Sequence, residues 1–157
     1  MTAGCAKRDE NGVTRLDARP LWIAYNDNII DEAMRARSAS EAVSLLENGK
    51  GVLESRLARH DDDDRIAIAI MVDTMHLAAA HYASGKVDLA LDEINKIAES
   101  RSRKVRDDAR LIEERKKILE WIVNAIELAD PPWGARVKVD FSKHISGEVD
   151  LWSRKQG

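Results

Sequence analysis

Asp73 and His76 stand three residues apart in an apolar stretch, and His81 falls on the same broad side of a helix drawn through them. A carboxylate and an imidazole at i and i+3 can share one metal ion when other helices add their own ligands. The chain has no Glu-x-x-His sequence elsewhere to supply them. A polar strip facing water, or a buried His–Asp hydrogen bond, accounts for the same residues without chemistry. No glycine-rich phosphate loop, nucleophile elbow or paired-cysteine motif occurs.

His60-Asp61 is the dipeptide of HD-type metal-dependent phosphohydrolases, and the resemblance implies a metal-activated water. That family places a further histidine upstream, and here none precedes His60. An acidic run at Asp61–Asp64, stabilising the start of the next helix, explains the pair more simply. Glu113-Glu114 followed by Glu127 and Asp130 resembles the acidic pattern of all-helical nucleotide pyrophosphohydrolases. Lys117 stands where their magnesium site needs a carboxylate, and Glu113, Glu120 and Glu127 repeat every seven residues as a solvated helix face does. The densest basic segment runs from Glu99 to Lys117 with eight positive and five negative charges, a net of +3. Arg101, Arg103, Lys104 and Arg106 are its candidates for touching phosphate. Interleaved acids that form i,i+4 pairs, and the lack of aromatic residues between the bases, favour a solvated face.

The elements that would carry these residues are mostly helical. The 157 residues carry a formal charge of −3, which argues against nucleic acid on charge alone, and the single Cys5 excludes an internal disulfide framework. No apolar run reaches the roughly 18 residues of a membrane span. Leu21, Tyr25, Ile29 and Ala33 recur every four residues behind Asp17, a candidate cap, and Pro20. Ser38 and Glu41 form a capping-box pattern ahead of Ala42, Leu45, Leu46, Gly49, Val52, Leu53 and Leu57. That phase runs unbroken through Asn48-Gly49-Lys50-Gly51, although the tetrapeptide is itself a turn signal, and phase favours one helix. A central helix follows, apolar over Ala67, Ile68, Met71, Met75, Ala78, Ala79 and Tyr82, with Asp73, Thr74, His76 and His81 opposite. Val87 to Ala98 make a shorter helix. A longer one runs from about 103 to 129, with Trp121 beside its inner stripe as a core residue, and Asp130-Pro-Pro-Trp-Gly134 ends it.

Beyond Gly134 the period changes. Val137, Val139 and Phe141 alternate with charged residues, and Val149 and Leu151 alternate again before Trp152, which predicts a β-hairpin. The predicted fold is a mainly α bundle of four to five helices with this short C-terminal β-hairpin. A polar arm spans residues 1–16, the bundle 17–130 and the tail 131–157. From Thr74 to Ala98 the chain resembles a single degenerate tetratricopeptide-repeat unit, with Ala78 and Ala90 at the helix crossing and Gly85 at the turn. The resemblance implies a packed helical hairpin, and no second copy follows at the repeat period.

An isolated hairpin is marginal in water and must dock on something. Trp133, Val137, Val139, Phe141, Val149, Leu151 and Trp152 are therefore the candidate protein interface, presented to a partner strand or folded onto the chain's own helices. The expected function is that of a non-enzymatic assembly protein that self-associates, needs no cofactor or metal, and works in a reducing, cytoplasmic setting without a membrane. Bundles with C-terminal hairpins resemble viral head–tail adaptors, which would imply a ring-type particle component and a place in the virion. A nucleic-acid-associated or regulatory protein using residues 101–117 is the alternative, and a metal-dependent hydrolase ranks below it.

Overall fold

The computed structural model describes residues 6–8, 14–16, 20–59, 63–102 and 108–156. Two three-residue strands, β1 (Ala6–Arg8) and β2 (Thr14–Leu16), pair antiparallel. Six helices follow: α1 (Leu21–Arg35), α2 (Ala39–Arg59), α3 (Asp64–Ala83), α4 (Val87–Arg101), α5 (Asp108–Ala129) and α6 (Ala135–Ile145). A 3-10 turn over Leu151–Gln156 completes the described chain. Short connections make three helical hairpins, α1–α2, α3–α4 and α5–α6, and α2 against α3 is the most extensive contact between them.

Local chemistry accounts for the boundaries. Ser38 Oγ accepts the Glu41 N–H at 3.2 Å at the start of α2. Within the acidic run, Asp63 caps α3 by accepting the Arg65 N–H at 3.0 Å. The other capping residue read from the sequence, Asp17, lies outside the described residues, as do His60, Asp61 and Asp62. Gly85, at φ +89°, closes α3 while the Lys86 and Gly85 amides return to the carbonyls of His81 and Tyr82 at 2.9 and 3.1 Å. Gly147, at φ +84°, ends α6 with the same pair of bonds, to Lys143 and His144.

Helix α2 passes through Asn48-Gly49-Lys50-Gly51 without a break. At Gly49 the reason is packing: a Cβ there would lie 3.0 Å from Ile29 Cγ2, so glycine lets α1 press against α2. Gly51 faces open space. The amphipathic reading of α3 needs correction. Ile68, placed on the inner face, is exposed, while Asp73, Thr74 and His81, placed on the water-facing side, are buried. Towards its C-terminal end α3 is enclosed by α1, α2, α4, α5 and α6 together, so no side of it is left for water. By length and composition α3 could cross a membrane, and more than half of its apolar window is buried inside the bundle.

The C-terminal β-hairpin is absent; residues 135–145 are α6 and residues 151–156 a 3-10 turn. Val137, Phe141 and His144, at i, i+4 and i+7, form the buried face of α6, whereas Val139 points outward and is 49% exposed. A strand would have put Val137, Val139 and Phe141 on one side. The Phe141 ring meets Tyr82 edge-on with centroids 4.9 Å apart, and Phe141, Val137 and Leu151 join the main core built from α3, α4 and α5. The helix wins because period 4 buries Phe141 and Val137 against an existing core, while a free two-stranded hairpin would leave them partly wet.

Candidate protein interface

The tail residues proposed for an interface are used up inside the molecule, apart from Val139. Val137, Phe141 and Leu151 are fully buried, and Trp133, Val149 and Trp152 pack against the same core half-buried. The Trp133 indole N–H donates to the Ala33 carbonyl at 3.3 Å, tying the α5–α6 turn to α1. Trp152 lies 4.6 Å from the Arg115 guanidinium and 5.1 Å from the His144 ring. The Leu151 amide donates to His144 Nδ1 at 3.2 Å, and burial lowers the pKa of that imidazole. These contacts make the tail a strap across the helices.

The candidate catalytic residues separate rather than converge. The Asp73 carboxylate accepts from Asn26 Nδ2 at 2.9 Å. His76 Nδ1 lies 2.8 Å from the Val72 carbonyl of its own helix, and His81 Nε2 lies 3.9 Å from Glu47 of α2. Burial lowers the pKa of both imidazoles. Each of the three groups therefore answers to a different partner. Among the described residues, no three His, Cys, Asp or Glu side chains are grouped to hold a metal.

Of the basic candidates, Arg103, Lys104 and Arg106 lie outside the described residues. Arg101 is committed: its Nε donates to Glu114 Oε2 at 2.9 Å and its guanidinium covers the Trp121 ring at 4.9 Å. Glu114 is buried, receives Lys117 at 3.6 Å as well, and its pKa is lowered chiefly by the Arg101 hydrogen bond. Glu113, Glu120 and Glu127 face water, as their spacing indicated.

What the sequence reading missed is on α5. Trp121, taken there as core, is 37% exposed, and Leu128 one heptad later is 92% exposed. Half-exposed Ala125 lies between them at i+4. Leu128 is on the side of α5 away from Leu119, Ile122 and Ile126, which bury into the core, while Ala125 packs against the core's edge and Trp121 spans the boundary between the two sides. Trp121 and Ala125 also line a small apolar recess with Met34, Met75, His76 and Ala79, where α5 stands off from α1 and α3. The signal was present in the sequence as two apolar residues seven apart, just off the inner stripe. No family model, no curated protein and no solved structure matches the chain.

Proposed function

We propose that the chain is a non-enzymatic assembly protein that associates with a second copy of itself through the outer face of α5. The observation that carries this is Leu128, 92% exposed on an otherwise charged helix face and flanked by the uncovered edge of Trp121 and the small Ala125, because a large apolar group left in water beside others marks a contact surface. The spacing is self-complementary. In an antiparallel pair of α5 helices with the two-fold axis beside Asn124 and Ala125, Trp121 of each copy meets Leu128 of the other. The small Ala125 lets the backbones approach at the crossing. Arg101 already holds the Trp121 ring in place, so little side-chain freedom is lost on docking.

The head–tail adaptor resemblance loses its support with the C-terminal hairpin, since α6 presents no free strand edge. Assembly through helix faces takes its place. The test is light scattering with the full chain. A dimer is expected, and Leu128→Glu should convert it to monomer with unchanged helicity. Removing a leucine from both halves of the contact weakens the dimer about 10²- to 10⁴-fold, taking about 1.5–3 kcal/mol for each side chain. In a Cys5→Ser background, Ala125→Cys should cross-link copies across the axis. A chain that stays monomeric at the highest concentration reached refutes the proposal. A dimer unaffected by Leu128→Glu places the contact elsewhere.

A further inference from the structure

The buried polar pair between α1 and α3 has its own logic. Asp73 is fully buried in the middle of α3, and Asn26, 4% exposed, donates one N–H to its Oδ1 at 2.9 Å. The other two atoms of the pair, Asp73 Oδ2 and Asn26 Oδ1, have no hydrogen-bond partner. With the carboxylate ionised both are acceptors, and neither can serve the other. On α2, Gly49 faces Asn26: even an added Cβ there would sit 3.5 Å from Asn26 Oδ1, and glycine has no side-chain donor to offer it. One proton on Asp73 Oδ2 changes the inventory. A carboxylic acid facing a primary amide has one donor and one acceptor to match against the same set, and the two groups can bond reciprocally.

We propose that in mild acid Asp73 carries a proton in the folded protein, and that the Asn26–Asp73 pair is a proton-operated clasp of α1 onto α3, closed in mild acid and weakened as the medium turns neutral.

The surroundings agree with this. Burial is the largest influence on the Asp73 carboxyl and pushes its pKa up to about 6; Asp27 of α1 adds to the rise, while the Asn26 bond and Lys50 of α2 oppose it. Lys50 also acts on Glu93 of α4 and on His81, so its charge is shared among several groups. Burial lowers the pKa of His76, on the same helix, and the contact of its Nδ1 with the Val72 carbonyl opposes that shift. Glu47 of α2 faces His81 further along α3. Helix α5 reaches this part of α3 through Trp121, Ile122, Ala125 and Ile126, none of them charged. The acid of α6 that meets α3 is Asp140, held by Tyr82 towards the end of the helix.

The experiment is a carbon-detected NMR titration of the Asp73 carboxyl in the full chain, paired with thermal unfolding of wild type and Asp73→Asn at about pH 5 and about pH 8. The expected midpoint is near 6, against an ordinary value of 3.8. Asp73→Asn keeps the acceptor and makes the donor permanent. It should therefore melt at or above wild type at the higher pH and lose the part of the pH dependence that wild type shows between the two. A wild-type Asp73 that titrates at its ordinary value overturns the clasp, and this reading needs no variant to fold. So does an Asp73→Asn chain that melts below wild type at the higher pH while retaining the wild-type pH dependence.

Discussion

Val139→Ala and Phe141→Ala, made separately, distinguish the observed α6 from the strand that the alternating pattern predicts. Phe141 is fully buried and meets Tyr82 edge-on with centroids 4.9 Å apart. Truncating it removes a large core side chain, at about 3–5 kcal/mol, together with an aromatic contact of about 0.5–1.5 kcal/mol. Val139 has half its surface in water and lies off the buried face of α6. In a helix, replacing it with alanine relieves the χ1 restriction of a β-branched residue and gains about 0.5 kcal/mol. In a strand with Val137, Val139 and Phe141 on the buried face, the same change would strip two carbons from the core and cost about 1.6 kcal/mol. The two structures thus differ in the sign of the Val139→Ala effect, by about 2 kcal/mol. Urea unfolding followed by circular dichroism measures it, provided the slope with denaturant is unchanged. A Val139→Ala chain destabilised by more than about 1 kcal/mol would refute the helical assignment of this segment and the reasoning built on it.

Three further substitutions have outcomes set by their surroundings. Gly51→Ala should stabilise the chain by about 0.5–1 kcal/mol, because Gly51 is helical and faces open space. Gly49→Ala should gain less or turn destabilising, since its Cβ meets Ile29 at 3.0 Å, and thermal melts of the two variants give the order directly. Arg101→Met should cost about 1–3 kcal/mol at neutral pH by leaving Glu114 buried beside only Lys117. Glu114 has a depressed folded pKa, so its contribution is present above the ordinary carboxylate range and lost as the pH falls below it. In Arg101→Met that acid loss should shrink, and an acid-unfolding curve identical to wild type would contradict the pairing. The sign is opposite to that of Asp73, whose raised pKa favours the fold in acid.

Much of the bundle was legible because helical signals reinforce each other. The capping box at Ser38, the acidic cap at Asp63 and the stop at Gly85 all lie where the periodicity changes, and each makes the bond its residue type implies. At Gly49–Gly51 the signals conflicted, and phase prevailed because one glycine serves a helix crossing and the other costs only propensity. Residues 135–141 misled for a physical reason. Valines at 137 and 139 and a phenylalanine at 141 satisfy both period 2 and, through 137 and 141, period 4. The arbiter lay downstream, in Gly147 as a helix terminator and His144 as the third buried position, and both fall outside the alternating window.

The candidate site was less legible because burial of polar residues is decided by what surrounds a helix rather than by its own sequence. Helix α3 reads as two-sided, yet five other helices close around it, and the polar side finds Asn26 and Glu47 instead of water. The converse holds on α5. Its inner stripe is satisfied by Leu119, Ile122 and Ile126, and none of the described residues covers Leu128. An all-round apolar helix and a one-sided helix with surplus apolar residues look alike in composition. They part only when the number of neighbours is known: the first has the bundle to enclose it, and the second needs a neighbour from outside. On that reasoning the polar cluster at Asp73 belongs to the folding of the chain, and the exposed Leu128 side of α5 to the proposed association. A substitution at one should leave the other's readout unchanged, so Leu128→Glu should preserve the Asp73 titration and Asp73→Asn should preserve the proposed dimer.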